Sequence, residues 1–102
     1  MLLLASCADR SKAFKPERLL TEQEMIAVMT DVQILEADIN RRKADGKRID
    51  GMAEAYYNQL FEHYDITDSI FSQNLRYYTE RPETLERIMD SVTKRLTKEQ
   101  QN

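Results

Sequence analysis

The side chains Ala53, Tyr56, Tyr57, Leu60, Phe61 and Tyr64 fall at i, i+3, i+4, i+7, i+8 and i+11 without a miss. Only a helix, with about 3.6 residues per turn, brings that spacing onto one face. Met25, Val28, Val32, Leu35 and Ile39 repeat the pattern, as do Phe71, Leu75 and Tyr78, and then Leu85, Ile88, Met89, Val92 and Leu96. No stretch alternates apolar and polar residues with the two-residue period of a strand. The chain is therefore expected to be all-α, a small bundle of about four helices joined by short loops.

The helix ends are also marked. Thr21 and Glu24 have the spacing of a capping box, and Leu20 and Met25 that of a hydrophobic staple. The first helix is read as 21–40, with Asp38 and Arg42 spaced for an exposed ion pair. Asp50 is read as the N-cap of the second helix, which Asp65 and Ile66 end. The third begins at Thr67, with Ile66 and Phe71 as a second staple and Asp68 at the positive helix start. Pro82 suits the first position of the fourth. Glu83–Arg87 and Asp90–Lys94 are spaced to pair on its wet side, and Lys94, Arg95 and Lys98 suit its negative end.

A chain of 102 residues holds one small domain. Fifteen basic against eighteen acidic side chains leave a net charge of -3. That balance lacks the basic excess needed to neutralise phosphates, so no nucleic-acid partner is expected. A single cysteine excludes an intrachain disulfide. One histidine, one cysteine and two glycines offer no material for a metal cage or a Gly-rich phosphate loop, so neither metal nor cofactor is expected.

That cysteine follows Met1-Leu2-Leu3-Leu4-Ala5-Ser6. Leu4, Ala5, Ser6 and Cys7 resemble a bacterial lipobox: an aliphatic residue, two small residues that fit a signal-peptidase cleft, and the thiol that takes a thioether-linked diacylglyceryl group. The apolar run is shorter than the usual 7–15 residues and no charged segment precedes it, so a start upstream of Met1 is expected. Residues 1–6 are read as the remnant of a signal peptide and 7–18 as lipidated cysteine and tether. Residues 19–97 are read as the helical domain and 98–102 as a frayed tail. Within the tether, the polar residues 8–15 reach at most roughly 25–30 Å. No stretch has the ~20 apolar residues of a membrane span.

Tyr56, Tyr57, Tyr64, Tyr77 and Tyr78 are the candidate partner-binding surface, because tyrosine joins a flat apolar body to a hydroxyl. The competing reading packs one of each pair in the core and the other at its rim. His63, beside Glu62, is read as a helix-end histidine favoured by the dipole, since no second ligand stands at a metal-binding spacing. Of the first helix's acids Glu22, Glu24, Asp31, Glu36 and Asp38, only Glu24 and Asp31 share a face, read as solvated. Ser6, Ser69 and Ser91 lack the Gly-x-Ser-x-Gly context. No catalytic residue is assigned. Residues 41–48 are read as a loop with five basic groups, ordinary and solvated, with anionic headgroups as the alternative partner.

Cys7, Pro16, Glu24-Met25, the segment Phe61-Glu62-His63-Tyr64-Asp65-Ile66-Thr67, Phe71, Tyr77-Tyr78, Pro82, Leu85, Ile88 and Val92 occur in an order that resembles a family of small helical lipoproteins from Bacteroidota. The resemblance spans Cys7 to about Leu96 and is most specific from Tyr64 to Pro82. The family has no assigned activity, so the resemblance implies location and fold only. Exported lipoproteins of such bacteria often carry an acidic run after the cysteine. Ala8-Asp9-Arg10-Ser11 lacks one, which implies a periplasm-facing position.

The expected function is thus a membrane-anchored cell-envelope lipoprotein, a non-enzymatic accessory or interaction module with a protein partner. Two alternatives stay open. One is a small envelope enzyme using carboxylates near the tyrosines. The other is a cytosolic helical homodimer with the Met25–Ile39 stripe as its seam, should Cys7 not be lipidated.

Overall fold

The computed structural model describes residues 14–101. Among them are four helices and no strand: α1 (Glu22–Ala44), α2 (Met52–His63), α3 (Asp68–Thr79) and α4 (Pro82–Gln101). The all-α expectation holds. Cys7 and the lipobox residues Leu4, Ala5 and Ser6 lie outside the described residues.

The α1 start forms as its sequence predicts. Thr21 Oγ1 accepts from the Glu24 N–H at 3.1 Å, and Glu24 Oε1 accepts from the Thr21 N–H at 2.9 Å. The staple residues Leu20 and Met25 are both fully buried. The end differs: α1 runs a turn beyond 40 and stops at Gly46, whose φ of 76° is left-handed. The Gly46 N–H donates to the Lys43 carbonyl and the Lys47 N–H to the Arg42 carbonyl, both at 3.0 Å. That pair of bonds closes the helix end, and glycine is the residue that adopts its conformation most cheaply. Arg41, Arg42 and Lys43 therefore belong to the last turn of α1 and not to a loop, facing the negative helix end. Asp38 pairs with Arg42 as expected, at 3.0 Å, and also with Arg41 at 2.5 Å.

The N-cap of α2 is Gly51, not Asp50. A tight turn, with the Met52 N–H donating to the Ile49 carbonyl at 3.0 Å, holds Gly51 at φ 74°. The Asp50 carboxylate lies 3.4 Å from the Arg48 guanidinium. Asp65, at φ 57°, closes the other end of α2, with its N–H on the Glu62 carbonyl and the Ile66 N–H on the Phe61 carbonyl. Thr67 then caps α3, accepting from the Ile70 N–H at 3.1 Å.

Helix α4 begins at Pro82 but passes through the expected frayed tail to Gln101. Asp90 and Lys94 pair at 3.0 Å. Arg87 reaches across to Glu22 at 3.1 Å, instead of pairing with Glu83. That contact fixes the start of α4 beside the start of α1, so the two run parallel.

Helix α1 is the centre of the packing, flanked by α4 and α2, while α3 lies against α2 and α4. Met25, Val28, Val32 and Ile39 are buried in this core with Phe61, Phe71, Tyr78, Ile88 and Val92. These four stripe residues of α1 are thus covered by the chain itself.

Phe14–Leu20, read in part as tether, are docked on α3. Arg76 stacks on the Phe14 ring at 4.0 Å. The buried Asn74 accepts from the Leu20 N–H and donates to the Arg18 carbonyl, each at 2.8 Å. Tyr78 Oη donates to the Leu20 carbonyl at 2.5 Å, and Arg18 Nη1 donates to the Asp65 carbonyl at 2.6 Å. Phe14 and Arg18, within the range read as tether, are thus held on the helical domain.

Candidate functional site

A groove of about 890 Å³ opens along the C-terminal half of α1, between the ends of α2 and α4. Its floor is apolar: Ile34, Leu35 and Ala37 from α1, Leu60 from α2 and Leu96 from α4. Ile34 is 39% exposed, one of two large apolar side chains so exposed among the described residues. Asp31, Asp38 and Arg41 of α1, His63 and Tyr64 of α2, and Glu99 of α4 stand around it. No residue of α3 or of Phe14–Leu20 lines it.

The folding of each element explains this opening. Leu60 and Tyr64 belong to the apolar face that drives α2 onto α1. Leu96 ends the stripe of α4, and the extra helical turns after it carry Glu99 along the wall. Ile34 sits off the α1 stripe, and no element among the described residues covers it fully.

Tyr64 fastens the groove wall to its floor. Its hydroxyl donates to Asp31 Oδ2 and lies 3.3 Å from the Ala27 carbonyl. Burial, then Asp31, push the phenol up to about 12. The hydroxyl is thus a fixed neutral donor at ordinary pH, and Asp31 is its acceptor. His63 places its ring edge-on against Tyr64, 4.9 Å between centroids, and is exposed at the end of α2 as expected for a helix-end histidine. The Arg42 hydrogen bond holds Asp38 below the usual carboxylate range.

The five tyrosines do not line one surface. Tyr64 faces this groove. Tyr57 lines a separate cleft of about 430 Å³ with Phe71 and Leu75, where burial, then Glu36, raise its pKa. Tyr56 is half-buried on α2 and adds to the field that raises the Arg42 pKa, so it stands on the α1 side. Tyr78 is buried and holds Leu20. Tyr77 meets Tyr78 edge-on at 5.0 Å and carries the Arg81 guanidinium 3.6 Å above its ring.

The acids of α1 are also dispersed. Glu24 caps the helix, Glu22 pairs with Arg87, Asp31 accepts from Tyr64, and Asp38 pairs with Arg41 and Arg42. Glu24 and Asp31 therefore do not act as a pair. No cluster of three or more metal-ligating side chains occurs among the described residues, and no helix there is long and apolar enough to cross a membrane.

Ile34 and Glu99 were not singled out from the sequence. The available signal is Ile34 itself, an apolar residue outside the α1 stripe. No curated protein and no solved structure matches the chain. The family model described as Domain of unknown function (DUF4296) matches residues 16–102, and the chain belongs to that family.

Proposed function

We propose that this protein is a lipid-anchored lipoprotein of the bacterial cell envelope that serves as a non-enzymatic interaction module. The observation that carries the reading is the position of its one cysteine. Cys7 follows Leu4-Ala5-Ser6 and stands only seven residues before Phe14, which is docked under Arg76. At most ~25 Å of extended chain joins the two, so acyl chains on Cys7 would hold the domain against the bilayer. Each buried CH₂ contributes about 0.8 kcal/mol and more than one acyl chain is needed for firm attachment. A triacylated cysteine of the kind such lipoproteins carry meets that need.

The tether enters at α3, and the groove is built from α1, α2 and α4. Anchoring therefore leaves the groove free for a protein partner, and confinement to a membrane raises the effective concentration of that partner. The lack of an acidic run in Ala8-Asp9-Arg10-Ser11 favours the periplasm-facing side, and the resemblance to Bacteroidota lipoproteins supports an envelope location. Membrane flotation of protein expressed with the sequence upstream of Met1 tests the anchor. Wild type rising with lipid and Cys7→Ala staying in the soluble fraction supports it. Equal behaviour of the two overturns it.

A further inference from the structure

We infer that the docked segment 14–20 is the surface that rests on the bilayer, with Leu19 entering the lipid interface. This deepens the anchored-lipoprotein reading and rests on it. A lone exposed apolar side chain is ordinary on a protein. Leu19, 51% exposed, differs in where it stands and how it is held. Position comes first. The seven residues from Cys7 to Phe14 span at most ~25 Å, so an anchored chain keeps segment 14–20 within that reach of the membrane. Ile34, the other large apolar side chain so exposed among the described residues, sits twelve residues past Glu22, about 18 Å along α1.

Rigidity comes next. On one side of Leu19, Arg18 donates to the Asp65 carbonyl at 2.6 Å and pairs with Glu24 at 3.5 Å. On the other, Leu20 is fully buried, with its N–H on Asn74 and its carbonyl on Tyr78. Upstream, the Glu17 N–H donates to Gln73 Oε1 at 2.7 Å. The backbone that carries Leu19 is thus fixed on α3 and at the start of α1. Its outward side chain is ordered before any membrane contact, which lowers the entropy lost on contact.

Area and charge select lipid over protein. A stable protein interface buries about 800 Å² on each side, and one leucine with its neighbours in a short segment falls far below that. A bilayer already fastened through acyl chains needs no such area, because its contact with the domain is intramolecular. Charge does not steer the contact: Arg18 is engaged by Glu24, and Arg76 by Phe14 and Glu80. Lys15 is exposed and outside the ion pairs of the described residues, so its stem lies on lipid while its ammonium reaches a phosphate.

The test uses the single cysteine and the lack of tryptophan. Full-length protein is coupled through Cys7 to a maleimide headgroup lipid in phosphatidylcholine vesicles, at low protein density, which supplies the anchor chemically. Leu19→Trp and Ile34→Trp each place one tryptophan, and brominated acyl chains quench those that reach the lipid. Expected is several-fold stronger quenching of Leu19→Trp than of Ile34→Trp, with blue-shifted emission on coupling from Leu19→Trp alone. Lys15→Trp, which keeps Leu19, is quenched too, and adding Leu19→Ser cuts that quenching several-fold. All three positions are exposed, and unchanged melting curves confirm that the variants fold. Equal quenching of Leu19→Trp and Ile34→Trp, stronger quenching of Ile34→Trp, or no effect of Leu19→Ser overturns the inference. So does a blue shift of Leu19→Trp that grows with protein density and is insensitive to bromine, because a second copy then covers the surface. Coupling bypasses cellular lipidation, so equal quenching leaves the natural anchor standing, and failed lipidation in cells leaves this readout unchanged.

Discussion

Asn74→Ala cuts the tie between the N-terminal segment and α3. The Asn74 side chain is fully buried and makes three hydrogen bonds of 2.8 Å, accepting from the Leu20 N–H and donating to the Arg18 and Ile70 carbonyls. The Ile70 carbonyl keeps the N–H of residue 74 as its helical partner. The Leu20 N–H and Arg18 carbonyl are left with none, at about 1–3 kcal/mol each, so the loss is roughly 2–6 kcal/mol. Release of the segment gives no cheaper outcome. Leu20, 1% exposed, then loses roughly 2 kcal/mol of burial, and Tyr78 loses its acceptor. Each kcal/mol moves the midpoint of a domain this size by about 4–8 °C, so the variant melts lower by roughly 8 °C or more. Urea unfolding measures the loss, and hydrogen exchange locates it. The Leu20 amide exchanges about a hundredfold faster in the variant. A loss below about 1 kcal/mol with Leu20 still protected refutes the reasoning.

Gly46→Ala keeps open space around the new methyl but forces alanine to φ 76°, and destabilises by about 1 kcal/mol in urea unfolding; no change means that α1 ends elsewhere. Tyr64, held up at about 12 against ~10 in an unfolded chain, supplies stability that is full below pH ~10 and declines as pH rises toward 12, because the unfolded chain releases its proton first. At this part-exposed site the effect is about 1–2 kcal/mol, so the stability gap between wild type and Tyr64→Phe narrows above pH ~10, and a constant gap contradicts the assignment. Tyr77→Ala removes the ring beneath Arg81 and beside Tyr78, and costs about 1–3 kcal/mol; an unchanged melting midpoint marks Tyr77 as a free surface contact instead.

The features legible in the sequence were those set by neighbours in the chain. Thr21 with Glu24, Ile66 with Phe71, and Pro82 act within one turn, and each marks its helix as read. The end of α1 is equally local, at Gly46, but the apolar stripe that marks the helix fades already after Ile39. The helix continues there because Arg41, Arg42 and Lys43 suit its negative end and Asp38 pairs with two of them. Asp50 is a good cap by type, yet Gly51 takes the position through a turn that only glycine adopts cheaply.

The site was less legible because it depends on contacts distant in sequence. Asn74 looks polar and solvated on its own helix, and only the arrival of Arg18 and Leu20 makes it a buried clip. The five tyrosines share a residue type and a sequence neighbourhood, but two helices crossing at different places distribute them over the core, a cleft and the groove. The groove exists because α2 and α4 leave one strip of α1 uncovered, which no single-helix pattern encodes.

The most direct test of the anchored interaction module is intact mass spectrometry of the N-terminal peptide. The protein is expressed with the sequence upstream of Met1 and compared with Cys7→Ala. The predicted result is a mature chain beginning at Cys7 with three acyl chains, absent from the variant. A chain that retains Met1 and a free Cys7 thiol contradicts the anchor and leaves a helical domain whose location must be sought elsewhere.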